Sequence, residues 1–259
     1  MRALFTAATG MEAQQLRIDN IANNLANVNT NGFKKSRADF EDLYYQKVRT
    51  GGGETAAGVQ RNDSVEVGHG TRTAALRRDF GNGAVVSTGS ETDVAIQGDG
   101  FFVVEDAAGE QLYTRLGNFT ADDQGNLALP GGFRLAGGIQ LPQERTSVTI
   151  AKDGIVSVNV PGQDSQQVGE IQVARFANVA GLEALGGGLY RANERSGEAT
   201  VGTPGNDGSG ELLQNVLEGS NVDVAEELIA MIMAQRSYEL TSKAIQTADE
   251  MLQATNQLK

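Results

Sequence analysis

The feature that most constrains this chain is a seven-residue spacing of apolar side chains at both of its ends. Such spacing keeps side chains on one face of a packed helix. The amino-terminal repeat consists of Leu4, Met11, Ile18 and Leu25. It predicts an amphipathic helix over residues of about 3 to 29, ending near Gly32, because glycine tolerates the left-handed conformation that closes helices.

A second repeat runs through the carboxyl-terminal residues. The stretch Ser220 to Asp223 is typical of a capping box, and Glu226 and Glu227 follow where the helix dipole favours carboxylates. The apolar positions of this repeat are Val224, Met231, Tyr238, Ile245 and Leu252. The apolar surface is widened nearly all round the first half of this helix by Leu228, Ile229, Ile232 and Met233, which is typical of a helix that several neighbours bury.

Four asparagines form a stripe along the amino-terminal helix. Asn20, Asn24, Asn27 and Asn31 are spaced by four, three and four residues, so they share one helix face. Two interpretations stay open. The stripe is either a solvated polar face or an interfacial row whose side-chain amides fix the register of packed helices.

The chain between the two repeats is rich in glycine and in turn signals. Residues 41–67 have few apolar side chains and predict an extended Gly-rich connector arm. Residues 68–210 predict a β-rich, antiparallel domain. Its clearest hairpin spans 148–160 with Asp153-Gly154 at the turn, and a second candidate spans 119–129.

These patterns together predict an α+β fold in three segments. The long amino- and carboxyl-terminal helices, residues 1–40 plus 211–259, form a discontinuous, coiled-coil-like α domain. The connector arm occupies 41–67, and the β-rich domain, residues 68–210, is inserted between the helices.

Composition argues against most enzyme classes. The chain has no cysteine and one histidine, so thiolate metal sites, cysteine nucleophiles and multi-histidine sites are disfavoured. His69 has no catalytic partner in sequence, residues 122–126 lack the ligand order of a calcium loop, and Gly98-Asp99-Gly100 opens no dinucleotide-binding helix. We predict no catalytic residue, cofactor or metal, and no small-molecule substrate.

Charge and hydropathy exclude two further classes. The net charge of −12 repels phosphate backbones, so we expect no nucleic-acid partner. No stretch approaches the roughly 20 apolar residues of a membrane-spanning helix. The apolar run over residues 3–11 is too short for a cleavable signal peptide, so any export is expected to use another route.

Long motifs in this sequence resemble bacterial flagellar rod and hook proteins, a family of axial proteins. Residues Ile21 to Lys34 resemble the family's amino-terminal signature. The carboxyl-terminal signature and the central core of larger members are matched by 220–229, 234–239, 243–252, 93–102 and 113–119. Within this family, the length of the chain and the sequences of residues 131–133 and 150–158 are most similar to those of distal-rod members.

The resemblance implies a structural subunit of a hollow helical drive shaft that transmits torque from motor to hook, with the terminal helices as its inner tube. The implied partners are further copies of the chain, proximal rod proteins, the hook protein, the peptidoglycan and outer-membrane ring proteins, and the flagellar export apparatus. The implied location is the basal body, from periplasm to outer membrane. The alternatives are another axial subunit, or a cell-wall-acting enzyme with Asp93 and Asp99 as carboxylates.

For a shaft subunit, we predict that the apolar helix positions and the asparagine-rich signature form the subunit interface. The predicted interface residues are Leu4, Met11, Ile18, Ile21, Asn24, Leu25, Asn27, Val28, Phe33, Val224, Leu228, Met231, Ile232, Tyr238, Ile245, Met251 and Leu252.

Overall fold

The computed structural model describes residues 2–49, 65–162, 164–206 and 208–257. Within these residues the chain forms a helix near each end and twenty strands between them. The predicted α+β class is therefore confirmed, with two long helices flanking an antiparallel β-rich region.

The two helices are α1 (Arg2–Ala26) and α2 (Val224–Gln257). Turns follow α1 as far as Gly32, which has a φ of 63°. The predicted capping box at Ser220 is wrong, because Asp223 caps α2: its carboxylate accepts hydrogen bonds from the backbone amides of Ala225 at 2.8 Å and Glu226 at 3.1 Å. The capping signal thus lies three residues later, in Asp223 to Glu226.

The described residues divide into two compact units, and the chain passes between them at four points. The first unit consists of residues 2–26, 36–49, 65–77 and 223–257, and the second of 27–35 and 78–222. The first unit thus contains residues that the predicted division assigns to the helices, the connector and the β-rich domain.

Four strands accompany the helices in the first unit. They are β1 (Ser36–Asp42), β2 (Tyr45–Arg49), β3 (Val65–Gly68) and β4 (Thr71–Arg78), whose last residue belongs to the second unit. β1 pairs with β4, and β2 pairs antiparallel with β3. The ends of the predicted connector arm are therefore paired strands, while its residues 50–64 lie outside the described residues.

The second unit contains the other sixteen strands. They are β5 (Val85–Ser87), β6 (Val94–Gln97), β7 (Phe101–Glu105), β8 (Gln111–Thr114), β9 (Thr120–Ala121), β10 (Leu127–Ala128), β11 (Arg134–Leu135), β12 (Ser147–Ile150), β13 (Ile155–Asn159), β14 (Gln166–Glu170), β15 (Val173–Arg175), β16 (Glu183–Gly186), β17 (Leu189–Arg191), β18 (Thr200–Gly202), β19 (Glu211–Gln214) and β20 (Val216–Glu218).

A nine-stranded sheet dominates this unit. Its main path runs β16-β17-β8-β7-β11-β10-β9, and β15 pairs with β7 on one side and β18 on the other. β12, β13 and β14 form a smaller sheet, while β6 pairs with β19 and β5 with β20.

Strand β7 lies between the two hydrophobic clusters of the second unit. Phe102 and Val104 belong to the larger cluster, whereas Phe101 and Val103 pack in the smaller, aromatic one. Both faces of β7 are therefore buried, which explains its uninterrupted apolar run.

Both predicted hairpins are confirmed. β12 and β13 pair with Val148 opposite Val158, and Gly154 at the turn has a φ of 89°. β9 and β10 pair on either side of residues 122–126. In each case the turn residues and the flanking strand residues favour the same hairpin, so the local sequence is sufficient to predict it.

Gly117 is a position where the fold has no room for a side chain. A Cβ atom there would overlap the carbonyl oxygen of Val94, whereas one at Gly202 would meet nothing within 4 Å. We expect Gly117→Ala to destabilise the protein by about 1–3 kcal/mol, measured by urea unfolding. Gly202→Ala is the matched control, and equal unfolding midpoints for the two variants would contradict the packing described.

Candidate functional site

Within the first unit, α1 and α2 pack antiparallel through small side chains. Ala13 and Ala234 are buried, and a Cβ atom on Gly10 would lie 3.9 Å from Thr241 Cγ2. Towards the other end of the pair, Asn24 Nδ2 donates to Glu227 Oε1 at 3.3 Å. Because the contacting positions are small, only a narrow face of α2 is covered.

The rest of α2 presents large apolar side chains. Ile229 is 64% exposed, Met233 63% and Leu240 67%, and Met251 continues the same stripe along the helix. Val224, Leu228 and Ile232 are exposed on the neighbouring face. On α1, Phe5 is 75% exposed. Exposed large apolar side chains grouped one helical turn apart, such as Ile229 and Met233, are typical of a surface where another protein binds.

The predicted interface residues occupy four different environments. Those exposed on α2 are Val224, Leu228, Ile232, Tyr238 and Met251. Those half-buried on the helices are Leu4, Met11, Ile18, Leu25, Met231 and Ile245. Ile21 and Asn24 are buried within the chain, and Asn27, Val28 and Phe33 lie half-buried in the second unit. The side chain of Leu252 lies outside the described residues.

The predicted list omits exposed residues that belong to the same surface, namely Phe5, Ile229, Met233 and Leu240. The seven-residue repeat on α2 selects half-buried positions, Met231 and Ile245, as well as the exposed Val224 and Tyr238. The signal for the omitted residues is the apolar character of the remaining faces, which a globular helix would fill with polar residues.

Asn20 and Asn24 form hydrogen bonds within their own chain. Their side-chain amides both donate to the carbonyl oxygen of Ser36, at 2.7 and 2.9 Å, and Asn24 Oδ1 accepts from the Ser36 amide at 3.0 Å. These contacts fix the start of β1 against α1. The hydrogen bond from Asn24 to Glu227 joins two packed helices, as the interfacial interpretation of the stripe requires, but it does so within one chain.

A buried ionic cluster lies in the second unit. Lys34, Arg115 and Glu218 are each at most 3% exposed. Lys34 Nζ lies 2.6 Å from Glu218 Oε1, and Arg115 Nη1 lies 3.3 Å from Glu218 Oε2. Lys34 also donates to the carbonyl oxygen of Gly81 at 2.9 Å, and the Gly83 amide donates to Glu218 at the same distance.

Burial and pairing act in opposite directions on the two cations of this cluster. Desolvation lowers the pKa of Lys34, and the carboxylate of Glu218 partly offsets that effect. Desolvation likewise lowers the pKa of Arg115, against the attraction of Glu218 and Asp99. Glu218 is therefore the main group that offsets the desolvation of both cations.

The residues that were considered as candidates for catalysis or metal binding make contacts of the kind that stabilise a fold. The His69 ring lies 4.7 Å from the ring of Tyr44. Asp122 accepts hydrogen bonds from Asn126 and from the amide of Gln124, and these lower its pKa. Asp93 bonds through its backbone to Asn215, and Asp99 lines an open polar recess. In the described part of the chain, no group of three or more His, Asp or Glu side chains is placed to hold a metal ion.

Neither α1 nor α2, over the residues described, combines the length and apolar character of a membrane-spanning helix.

Three family models match this chain. The model of the flagella basal body rod protein matches residues 4–34, and that of the flagellar hook protein FlgE/F/G D1 domain matches 95–158. The model of the flagellar basal body rod FlgEFG protein C-terminal region matches 213–258.

Curated relatives from the same family match this chain over its full length. The flagellar basal-body rod protein FlgG of Borreliella burgdorferi is 47% identical over 100% of this chain and 99% of the relative. FlgG of Caulobacter vibrioides is 46% identical over 100% of both chains. The chain belongs to the FlgG family of flagellar basal-body rod proteins. The flagellar hook protein FlgE of Helicobacter mustelae is 38% identical, but over only 53% of this chain and 30% of its own length.

In this FlgG-family chain, each of the three matched segments supplies one member of the ionic cluster. Lys34 comes from the amino-terminal segment, Arg115 from the central one and Glu218 from the carboxyl-terminal one. The cluster therefore joins three segments that are distant in sequence.

We expect Glu218→Gln to destabilise the second unit by about 3–5 kcal/mol, because it leaves two buried cations without their carboxylate. The measurement is chemical unfolding followed by circular dichroism. Glu211→Gln is the control, since it removes only the exposed pair with Lys152 at 3.2 Å, and should shift the unfolding midpoint far less. Similar shifts for both variants would contradict the importance of burial.

Proposed function

We propose that this chain is a structural subunit of the distal flagellar rod, which self-assembles into a hollow helical drive shaft. The observation that carries the proposal is the apolar surface of α2 that the described part of its own chain leaves uncovered, on a chain that matches rod proteins from end to end. In a shaft subunit, that surface is where copies pack against one another.

The terminal helices are proposed to form the inner tube of the shaft as a coiled-coil-like layer. The support is the seven-residue repeat on both helices together with apolar side chains on several faces of α2. A helix that one partner covers on a narrow face needs further partners for the others, and a helical array of identical subunits supplies them. Packed helices at interior density resist bending and twisting, as torque transmission requires.

The proposed partners follow from this place in the flagellum. Besides copies of itself, the chain would contact proximal rod proteins, the hook protein and the ring proteins of the peptidoglycan layer and outer membrane. It would reach the periplasm through the flagellar export apparatus. The absence of cysteine suits passage unfolded into an oxidising compartment.

The exposed stripe of α2 gives a direct test of the assembly surface. We expect Ile229→Asp and Leu240→Asp to abolish assembly, because each places a charge in a contact that must exclude water. The helical content and thermal unfolding of the monomer should be unchanged, since both side chains are exposed. Sedimentation velocity and electron microscopy measure the assembly.

Gln246→Asp is the matched control, because it introduces the same charge at an exposed polar position on the same helix. It should assemble like the wild type. If Ile229→Asp and Leu240→Asp also assembled with wild-type length and yield, the α2 stripe would not be the contact between copies.

A further inference from the structure

The large sheet of the second unit ends in three edge strands, β9, β16 and β18, of which β16 and β18 lie on opposite sides of β7. Strand β16 pairs only with β17, and strand β18 pairs only with β15, among the residues described. All residues of both strands are exposed. An open edge offers unpaired backbone amides and carbonyls to an incoming strand.

Both edges present apolar side chains to an incoming strand, and their protection consists of their short length, the charge of Glu183 and the bulge between Ala184 and Gly186 of β16. Neither strand contains lysine or proline. Each instead presents an aliphatic side chain, Leu185 at 41% exposure on β16 and Val201 at 40% on β18. Each strand also contains a glycine, Gly186 in β16 and Gly202 in β18. A Cβ atom added to either glycine would meet no other atom within 4 Å. Glycine in a strand leaves space for another backbone to approach.

A recess of about 510 Å³ lies beside β16. Phe33, Leu116 and Leu189 contribute apolar side chains to it, and Gly186 to Gly188 contribute bare backbone. Of the described residues that line it, the charged one is Arg78, whose guanidinium lies 5.4 Å from the centroid of the Tyr190 ring. Asn27, Thr30 and Asn31 add polar groups to the lining, so the recess has a mixed surface with a single positive charge.

The charge of the second unit identifies a complementary partner. This unit carries 10 basic and 19 acidic residues, a net charge of −9, so carboxylates are the commonest charged groups that a second copy can offer to Arg78. On the β18 side, the exposed carboxylate of Glu198 precedes Val201 by three residues. The two edges therefore differ in the way that a repeating head-to-tail contact requires.

We propose that β18 of one copy adds antiparallel to β16 of the next, which extends the sheet from subunit to subunit. With Val201 opposite Leu185, Glu198 lies opposite Gly188, at the Arg78 recess and away from Glu183. A parallel arrangement would instead bring Glu198 towards Glu183, where like charges repel. This contact rests on the proposed shaft function and adds a second interface to the one on α2.

The absence of cysteine from the sequence makes the contact testable by disulfide formation. Five strand spacings separate β16 from β18 within one copy, about 24 Å at the usual spacing. A disulfide needs α-carbons within about 7 Å, so cysteines at the two edges can join only between copies. The test protein is full-length Leu185→Cys/Val201→Cys, assembled under reducing conditions and then oxidised.

We expect a ladder of covalent multimers on a non-reducing gel, at least about tenfold stronger than with Leu185→Cys/Ala108→Cys, whose second cysteine lies in an exposed turn. Dilute monomer should give no ladder. The pair Ala184→Cys/Gly202→Cys lies in the same register and should also give one, which protects the test against misfolding of a single variant.

Two failures can be told apart. Normal assembly of both edge pairs without a ladder would overturn the edge-to-edge contact and leave the shaft proposal standing. Failure of the wild-type chain to assemble under any condition that assembles related rod subunits would contradict the shaft proposal, and the edge contact with it.

Discussion

The structure depends on one constraint: α2 carries more apolar surface than a single helix can cover. Its contact with α1 uses small residues such as Ala13 and Ala234, which bring the helices close but cover a narrow face. Ile229, Met233 and Leu240 are left in water. Burying a large aliphatic side chain is worth about 1.5–3 kcal/mol, so this surface favours association with further chains over the isolated monomer.

The buried cluster in the second unit shows a different principle. A buried carboxylate between two cations adds little net stability compared with apolar packing, because desolvation opposes the attraction. Its geometry is nevertheless demanding, since removing the carboxylate leaves two buried cations unpaired. The cluster therefore favours the one fold in which the three segments that carry Lys34, Arg115 and Glu218 pack together. Such specificity suits a subunit whose copies must all have the same structure.

The elements with strong local signals were predictable from sequence. The seven-residue repeats predict both helices, and Asp153-Gly154 between alternating valines predicts the β12–β13 hairpin. Strands β1 to β4 were not predictable in this way, because two-stranded ribbons have no buried face and hence no regular alternation. Short edge strands such as β18 lie in a glycine-rich stretch where turn signals dominate.

The apolar surface of α2 was partly predictable from sequence, whereas the hydrogen bonds and ion pairs inside the chain were not. Apolar residues nearly all round the first half of α2 indicated several partners, although the predicted interface included Ile21 and Asn24, which are buried within the chain. The role of Asn24 depends on Ser36, twelve residues later, and the role of Lys34 on Glu218 near the other end of the chain. Lys34 and Glu218 each follow an apolar residue in the sequence, which is a weak indication of burial. Only the fold shows that they pair with each other.

The most direct test of the central claim is electron cryomicroscopy of filaments assembled from this chain. The account predicts that Ile229, Met233 and Leu240 of each copy are buried against the terminal helices of neighbouring copies, in the innermost layer. Filaments in which these side chains face solvent, with copies joined by their β-rich units alone, would contradict it.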